Sequence, residues 1–559
     1  MIKDDSAKPL SHNEALKEAD PILAGELAST LLDPEADRFS NDDGQFLKFH
    51  GIYQQDDRDL RKTGKKYMFM IRGRIPSGIL SAAQYRVYDD LATQYANQTL
   101  RLTSRQSIQF HGVVKSGLGP LMKSINEALM TTLAACGDVN RNVMAPPTPI
   151  TEPWMQEVHN DSQLLSDALL PNTPSYHAIW VDGVQLNLAE HQHHDDPLYG
   201  KTYLPRKFKT AFAVPPLNDV DLFTNCLGFI AIEENGKLVG YNLTAGGGLG
   251  MSHNNPNTYP RKADVIAYLE RHQVEAVAKA VLTIHRDFGD RTDRKHARLK
   301  YVLEEKGVAW FREELEKRLG QALEDPRPYT FERQGDRFGW HQQADGKSFL
   351  GLFVETGRIK DTDQIQLKTA IRKVVDTYET EVRLTPTQNL LLVNIPADQI
   401  EGINQILAAH GVPTTHEKSP VRGATMACPA LPTCGLALAE SERYLPSLID
   451  RIEGLLQTRG MSQEEIIIRM TGCPNGCARP YMAELGFVGR APGKYNLYVG
   501  GNESGTRLNR VYQESVKDAD METVLGGILD RFKDGRHPNE RFGDWSARVL
   551  WAEQEQTEA

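Results

Sequence analysis

What most constrains this chain is that it states one pattern twice, in the same order. Residues 100–113 read LRLTSRQSIQFHGV and residues 382–395 read VRLTPTQNLLLVNI, each with the period-two alternation and β-branched content of a strand, a turn and a strand. A further strand-like stretch precedes each, YMFMIRGRIPSG at 67–78 and FLGLFVETGRI at 349–359, with a helical pattern in between: SAAQYRVYDDLATQYA in the first copy, DQIQLKTAIRKVVDTYE in the second. A second echo follows, GFIAIEENGKLVGYNLTAGGG at 228–248 against GFVGRAPGKYNLYVGG at 486–501. Two echoes in one order describe an A–B–A′–B′ chain made by duplication and fusion. It predicts an α+β, pseudo-twofold body: the A units pair into one domain, the B units form two α/β lobes, and a cleft between them has room for a large cofactor. Residues 262–325 predict charged amphipathic helices ending near Pro326 and Pro328, and the first sixty residues predict an extended arm with little core of its own.

At 559 residues the chain is long enough for three or four domains. Its net charge of −10 argues against general nucleic-acid binding, which needs a basic face. The N-terminal stretch has no apolar signal core, and no run approaches the ~20 apolar residues of a membrane span. A cytoplasmic location is therefore expected. Six cysteines are too few for a disulfide scaffold in so long a chain.

Four of those six fall late, as Cys428-x5-Cys434 and Cys473-x3-Cys477. The first pair sits in the irregular MACPALPTCGLA, ahead of an amphipathic helix. The second sits where the strand EIIIRM enters a Pro–Asn–Gly turn, with a helix expected from about Ala478. Four soft thiolates suit zinc or an iron–sulfur cluster. The uneven spacing fits paired zinc knuckles poorly, whereas a bulky cluster accepts it. Helix N-termini near the ligands would stabilise thiolates.

TMACPALPTCGLA and MTGCPNGCARP resemble the two cluster motifs of the siroheme-containing sulfite and nitrite reductases, and the likeness runs from FHGIYQQDDRD at 49–59 to GGNESGTR at 500–507. The resemblance implies siroheme and a 4Fe–4S cluster as cofactors. Cys428, Cys434, Cys473 and Cys477 would be the cluster ligands, and Cys477 the bridge to the siroheme iron. It also implies paired ferredoxin-like half-domains and two siroheme- and cluster-binding lobes. The expected division is an arm at 1–60, half-domains at 61–142 and 341–420, and lobes at 143–340 and 421–559.

Reducing sulfite to sulfide takes six electrons, and the protein must also attract and desolvate an oxyanion. Guanidinium and ammonium groups suit that task. Arg72, Arg141, Lys207 and Lys209 match the family's anion-binding quartet, while Arg105, Gln109 and His111 match residues at the siroheme carboxylates and the adjoining cavity. In Arg206-Lys207-Phe208-Lys209, strand alternation would put both lysines on one face. Taken alone, any one of these cations reads as a solvated surface group.

Sulfite is favoured over nitrite because Lys207-x-Lys209 keeps two cations where nitrite enzymes tend to have one. A zinc-stabilised binding protein is the rival from another class. No flavin, NADPH or P-loop signature is present, so electrons must come from a partner. The resemblance implies an NADPH-oxidising flavoprotein (FAD/FMN) docked partly through the arm, with ferredoxin as the other donor. The His191–His194 run reads as a solvated loop, GGGLG at 246–250 as backbone approaching a macrocycle or a lobe contact, and Cys136 and Cys226 as inert core.

Overall fold

The computed structural model describes residues 8–149, 152–172, 179–181, 184–186, 196–414 and 418–558. The two A units pair by exchanging strands. In the first, Ile52–Asp56, Tyr67–Arg72, Ile108–Val113 and Leu100–Leu102 form an antiparallel sheet completed by Arg358–Ile359 of the second. In the second, Gly339–Gln342, Ser348–Leu352, Leu390–Ile395 and Glu381–Leu384 are completed by Ile79–Leu80 of the first. Both crossings turn on the same left-handed corner, Ser77 (φ 56°) with Gly78 (φ 72°) and Thr356 (φ 51°) with Gly357 (φ 75°). A Cβ at Gly78 would lie 2.6 Å from Leu384 O, and one at Gly357 would run into the Arg101 guanidinium, so only glycine fits.

A helix follows each corner. Ser81 caps Ala82–Tyr95 reciprocally: its hydroxyl accepts from Gln84 N–H at 3.2 Å, and its own N–H donates to Gln84 Oε1 at 3.0 Å. The matching helix is Leu367–Tyr378. Tyr85, Tyr88 and Leu91 of the first meet Ile371, Val374 and Val375 of the second in one shared core. Each fully buried apolar side chain stabilises that core by about 1.5–3 kcal/mol. Arg86–Asp376 at 2.9 Å and Arg372–Asp89 at 3.2 Å tie the helices at the surface.

The lobes are also built alike. The first carries the sheet Thr210–Ala213, Leu227–Glu234, Lys237–Ala245 and Asp264–Glu270; the second carries Thr425–Ala427, Ile468–Thr471, Leu485–Ala491, Lys494–Val499 and Arg510–Lys517. Thr210 lies opposite Leu227 as Ile468 lies opposite Leu485, both in parallel pairs. With that register, PPLND at 215–219 stands where CPNGC stands at 473–477. Asp221 and Arg479 also take matched positions, both left-handed (φ 47° and 53°). They meet between the lobes, where the fully buried Asp221 lies 2.7 Å from Arg469 Nη1 and 2.5 Å from Arg479 Nε.

Three expectations need correction. Residues 264–270 are an edge strand, paired with Lys237–Ala245 before the helix Val274–Phe288 begins. No α-helix follows Cys477: Pro480–Met482 makes one tight turn, and the chain at once enters the strand Leu485–Ala491. Residues 8–60 are not a free arm, because Leu23, Phe46 and Phe49 sit in the core of the first lobe and Phe39, Leu47 and Ile52 in that of the half-domains. Lys17 pins this segment, donating to Glu14 at 2.5 Å and to Leu204 O at 2.9 Å. Among the described residues no helix is long and apolar enough to cross a membrane. The His191–His194 run lies outside the described residues.

Candidate active site

The four late cysteines come together where two loops of the second lobe cross. Cys428 ends the strand Thr425–Ala427; its N–H donates to Met470 O at 3.2 Å, and Gly472 N–H points to its Sγ at 3.4 Å. Gly472 O accepts from Leu438 and Ala439 N–H at 2.8 and 3.0 Å, which locks the loop after Cys434 to the turn holding Cys473 and Cys477. Burial, then the neighbouring Cys477 sulfur, pushes the Cys428 and Cys434 thiols up and the Cys473 thiol up to about 12. Thiols crowded in this way give up their protons only to a cationic centre. Loop N–H groups of Leu436, Ala437 and Asn475 face the sulfurs, in the place expected for helix N-termini. Among the described residues no three His, Cys, Asp or Glu side chains are set to hold a metal ion. The Cys477 sulfur nonetheless raises each of the other three thiols, so the four share one neighbourhood.

Opposite the thiols stands a group of cations. Arg72, Arg105, Arg141, Lys207 and Lys209 are each half-buried. Phe208 fills the core and stacks on His285 with ring centroids 5.8 Å apart, so the lysines on either side face the other way. Burial drives both ammonium groups well below their ordinary pKa, reinforced at Lys207 by Arg141, Arg206 and Arg298 and at Lys209 by Arg105, Lys207 and Arg298. Ser104, the residue before Arg105, donates to Cys477 O at 2.8 Å, which joins the cation group to the cysteines. Arg105 donates to Asn225 Oδ1 at 2.9 Å and Asn142 O at 2.5 Å, yet its buried Nε has no acceptor.

A shortage of acceptors recurs along the neighbouring strand. Gln109 accepts from Arg72 Nε at 2.9 Å and then donates to His111 Nε2 at 3.2 Å. Burial, then Arg358, holds His111 well below its ordinary pKa, so it is neutral and has one acceptor nitrogen. Its Nδ1 must then carry the proton while facing Arg358 Nη2 at 3.3 Å, donor against donor. The run Arg72–Gln109–His111–Arg358 is one acceptor short. A group rich in carboxylates supplies what this strand and the orphaned Arg105 lack, so the residues fit a polycarboxylate cofactor.

Reading the sequence missed several members. Glu442 accepts from Arg101 Nε at 2.9 Å and from Arg358 Nε at 2.7 Å, and its N–H donates to Cys428 O at 3.1 Å. Burial raises its pKa, but the two guanidinia prevail and hold it at about 2. Arg101 was visible as an arginine inside an apolar strand; Glu442 was not, since its partners lie 341 and 84 residues away. Lys300, fully buried, donates to Gly248 O at 3.2 Å and Gly250 O at 3.1 Å and fixes the glycine loop. That loop is a lobe contact, because Met251 N–H donates to Pro474 O at 3.0 Å, inside the Cys473–Cys477 turn. Cys136 and Cys226 are buried, but each accepts from a guanidinium, Arg72 at 2.9 Å and Arg298 at 3.2 Å.

Strand-exchanged half-domains, twin lobes and one thiol cluster facing cations define a class, and the chain belongs to the nitrite and sulfite reductase family. The ferredoxin-like half-domain model of that family matches residues 61–128 and 341–410, and its 4Fe–4S domain model matches 160–323. The latter range is the first lobe, whereas the four late cysteines lie in the second. The chain is 47% identical to the sulfite reductase [NADPH] hemoprotein beta-component of Myxococcus xanthus, over 97% of both chains. It is 46% identical to the protein of the same name from Staphylococcus haemolyticus, over 98% of this chain and 96% of that one. Among solved structures it is similar to the NirA protein of Mycobacterium tuberculosis, with TM-score 0.79 and 25% identity over 97% of each chain.

Proposed function

We propose that this chain reduces sulfite to sulfide as the haemoprotein component of an NADPH-dependent sulfite reductase. The observation that carries the reading is the meeting of four thiols with a group of cations, Ser104 beside Arg105 donating to Cys477 O at 2.8 Å. Cys428, Cys434, Cys473 and Cys477 would hold the cluster, with Cys477 as the bridge, and Arg105, Gln109 and His111 would meet the siroheme carboxylates. When bound, siroheme joined to a 4Fe–4S cluster supplies electron storage and the iron centre at which sulfur is reduced. The chain's own part is electrostatic. Arg72 and Arg141 present planar donors to the oxygens of the anion, and Lys207 and Lys209 add charge where negative charge grows as oxygen departs. Two ammonium groups held well below their ordinary pKa are also suited to pass protons to a leaving oxygen. Two cations at Lys207 and Lys209 favour sulfite over nitrite.

The electron donor in this reading is a flavoprotein, bound partly through residues 8–60, which expose Leu31 and Leu32 where Lys115 donates to Leu31 O at 3.3 Å. The location is the cytoplasm, and the division at 60, 142, 340 and 420 follows the repeats. The test is dye-driven turnover of the purified holoprotein with sulfite and nitrite in competition. Sulfide should dominate; ammonia as the main product would move the function to nitrite. Lys209→Ala and Arg141→Ala should each lower sulfite turnover by about 10²-fold with the cofactor spectrum intact. Full turnover in both variants would remove the quartet from the chemistry.

A further inference from the structure

Electrons must reach the thiol site from outside, and one face of the molecule brings that site to the surface. Cys434 is only partly buried, and the next residues, Gly435 and Leu436, stand out, Leu436 being 68% exposed. An isolated leucine at the surface needs no explanation, but this one caps a ligand loop. Beside it lies the connection between the strands Ile52–Asp56 and Tyr67–Arg72, fastened to the same loop. Arg58 N–H donates to Pro432 O at 3.2 Å, the Arg58 guanidinium donates to Ala437 O, and Asp59 pairs with Arg443 at 2.9 Å. The connection exposes a second leucine, Leu60, 40% exposed.

The charges on this connection divide into two sets. Arg58, Asp59 and Arg61 are engaged, Arg61 with Asp56 at 2.5 Å, and Asp57 accepts from Asp59 N–H at 2.9 Å. Lys62, Lys65 and Lys66 are exposed and make no ion pair among the described residues. Three unpartnered lysines on a chain of net charge −10 form a local field of opposite sign to the whole. The pattern of a small apolar centre, Leu60 and Leu436, rimmed by exposed cations suits a transient encounter with an acidic protein. Such complexes exchange rapidly and are steered by charge.

We propose that this face, Leu60 and Leu436 with Lys62, Lys65 and Lys66, is where the acidic flavin-bearing domain of the electron donor docks and passes electrons in at Cys434. The inference rests on the sulfite-reductase reading and deepens it, because it sets an electron-entry face, from Leu60 onward, apart from the earlier part of residues 8–60 where Leu31 and Leu32 are exposed. In each encounter a reduced flavin gives up one electron, going from hydroquinone to semiquinone and releasing a proton. Six such electrons with six protons take bisulfite to hydrosulfide and three waters.

The experiment uses the holoprotein and two electron sources: a photoreduced flavodoxin, an acidic FMN protein, and a reduced viologen dye. The variant is Lys62→Glu with Lys65→Glu and Lys66→Glu, and Leu60→Glu is a second, independent probe. Reduction of the protein's own chromophore by flavodoxin is followed by stopped flow without sulfite, so it reads docking whatever the substrate. The triple variant should be reduced by flavodoxin at least tenfold more slowly at low salt. Its rate should depend more weakly on ionic strength, while viologen-driven sulfite turnover stays within twofold of wild type. An unchanged flavodoxin rate would overturn the docking face, and so would an equal loss with both electron sources. A wild-type holoprotein that flavodoxin reduces normally but that makes no sulfide would instead overturn the sulfite reading.

Discussion

Asp219 is a carboxyl in the position that Cys477 holds in the other lobe. It is 2% exposed, and its Oδ1 has no hydrogen-bond partner. Burial, then Asp336, pushes its pKa up to about 7, with Asp221 adding to the rise. A carboxyl with a raised folded pKa favours the folded state fully below the unfolded value of about 3.8, and that contribution is lost as pH rises towards 7. Asp219→Asn should therefore stabilise the protein by an amount that grows between about pH 4 and pH 7 and then levels off. A three-unit rise corresponds to a gain of a few kcal/mol at most. Thermal melts of both proteins at pH 5 and pH 8 check this, and a gain equal at both pH values would show that Asp219 does not titrate in this window. At this scale the sequence was legible where residue type alone implies chemistry. The four cysteines stood out because clustered thiols are uncommon in so long a chain, whereas Lys207 and Lys209 were singled out by the family resemblance. Asp219, Glu442 and Lys300 were not legible, since an acid or a lysine in a loop looks solvated until the fold encloses it.

Among the elements, the left-handed corners before the exchanged strands carry the most consequence. Gly78→Ala would bring a Cβ to 2.6 Å from Leu384 O at φ 72° and strain the entry of Ile79–Leu80 into its partner sheet. The expected cost is about 2 kcal/mol or more, read as a lower unfolding midpoint in urea with secondary structure retained in the folded state. An unchanged midpoint would mean that the corner relaxes freely. Both helices and the flanking strands could be read from periodicity, because each element has one buried face. The exchange itself could not, since a two-residue strand has no period and its partner is chosen by tertiary contact. The helix expected after Cys477 failed for a related reason: Pro480 and the demand for a third strand at Leu485 leave room for a single turn.

The whole molecule is symmetric in its backbone and one-sided in its chemistry. Matched by register, Arg105, Arg141, Lys207 and Lys209 have as counterparts Thr387, Gly423, Glu465 and Ile467, which line a recess of about 310 Å³. The second position keeps the cavity and has none of those four cations, so the duplicated backbone carries them in only one of its two equivalent places. Between them, among the described residues, Asp221 is the one carboxylate in an ion pair with Arg469 and Arg479, and it joins the lobes. Asp221→Asn leaves two buried guanidinia without a counter-charge and should cost about 3–5 kcal/mol. Calorimetry would show it, and a change below about 1 kcal/mol would mean that the guanidinia find other partners.

Strand exchange also sets an order on the birth of the molecule. A chain emerging from the ribosome makes Leu100–Leu102 early, but the strand that covers its edge, Arg358–Ile359, arrives only when most of the protein has been synthesised. Until then the nascent first half carries an open sheet edge, the kind of surface that pairs with the wrong neighbour. Cofactor loading has the same timetable, because the last thiol, Cys477, is translated after both sheets can close. A nascent chain halted before residue 358 would thus be a client for chaperones, with neither a finished sheet nor a complete set of thiols.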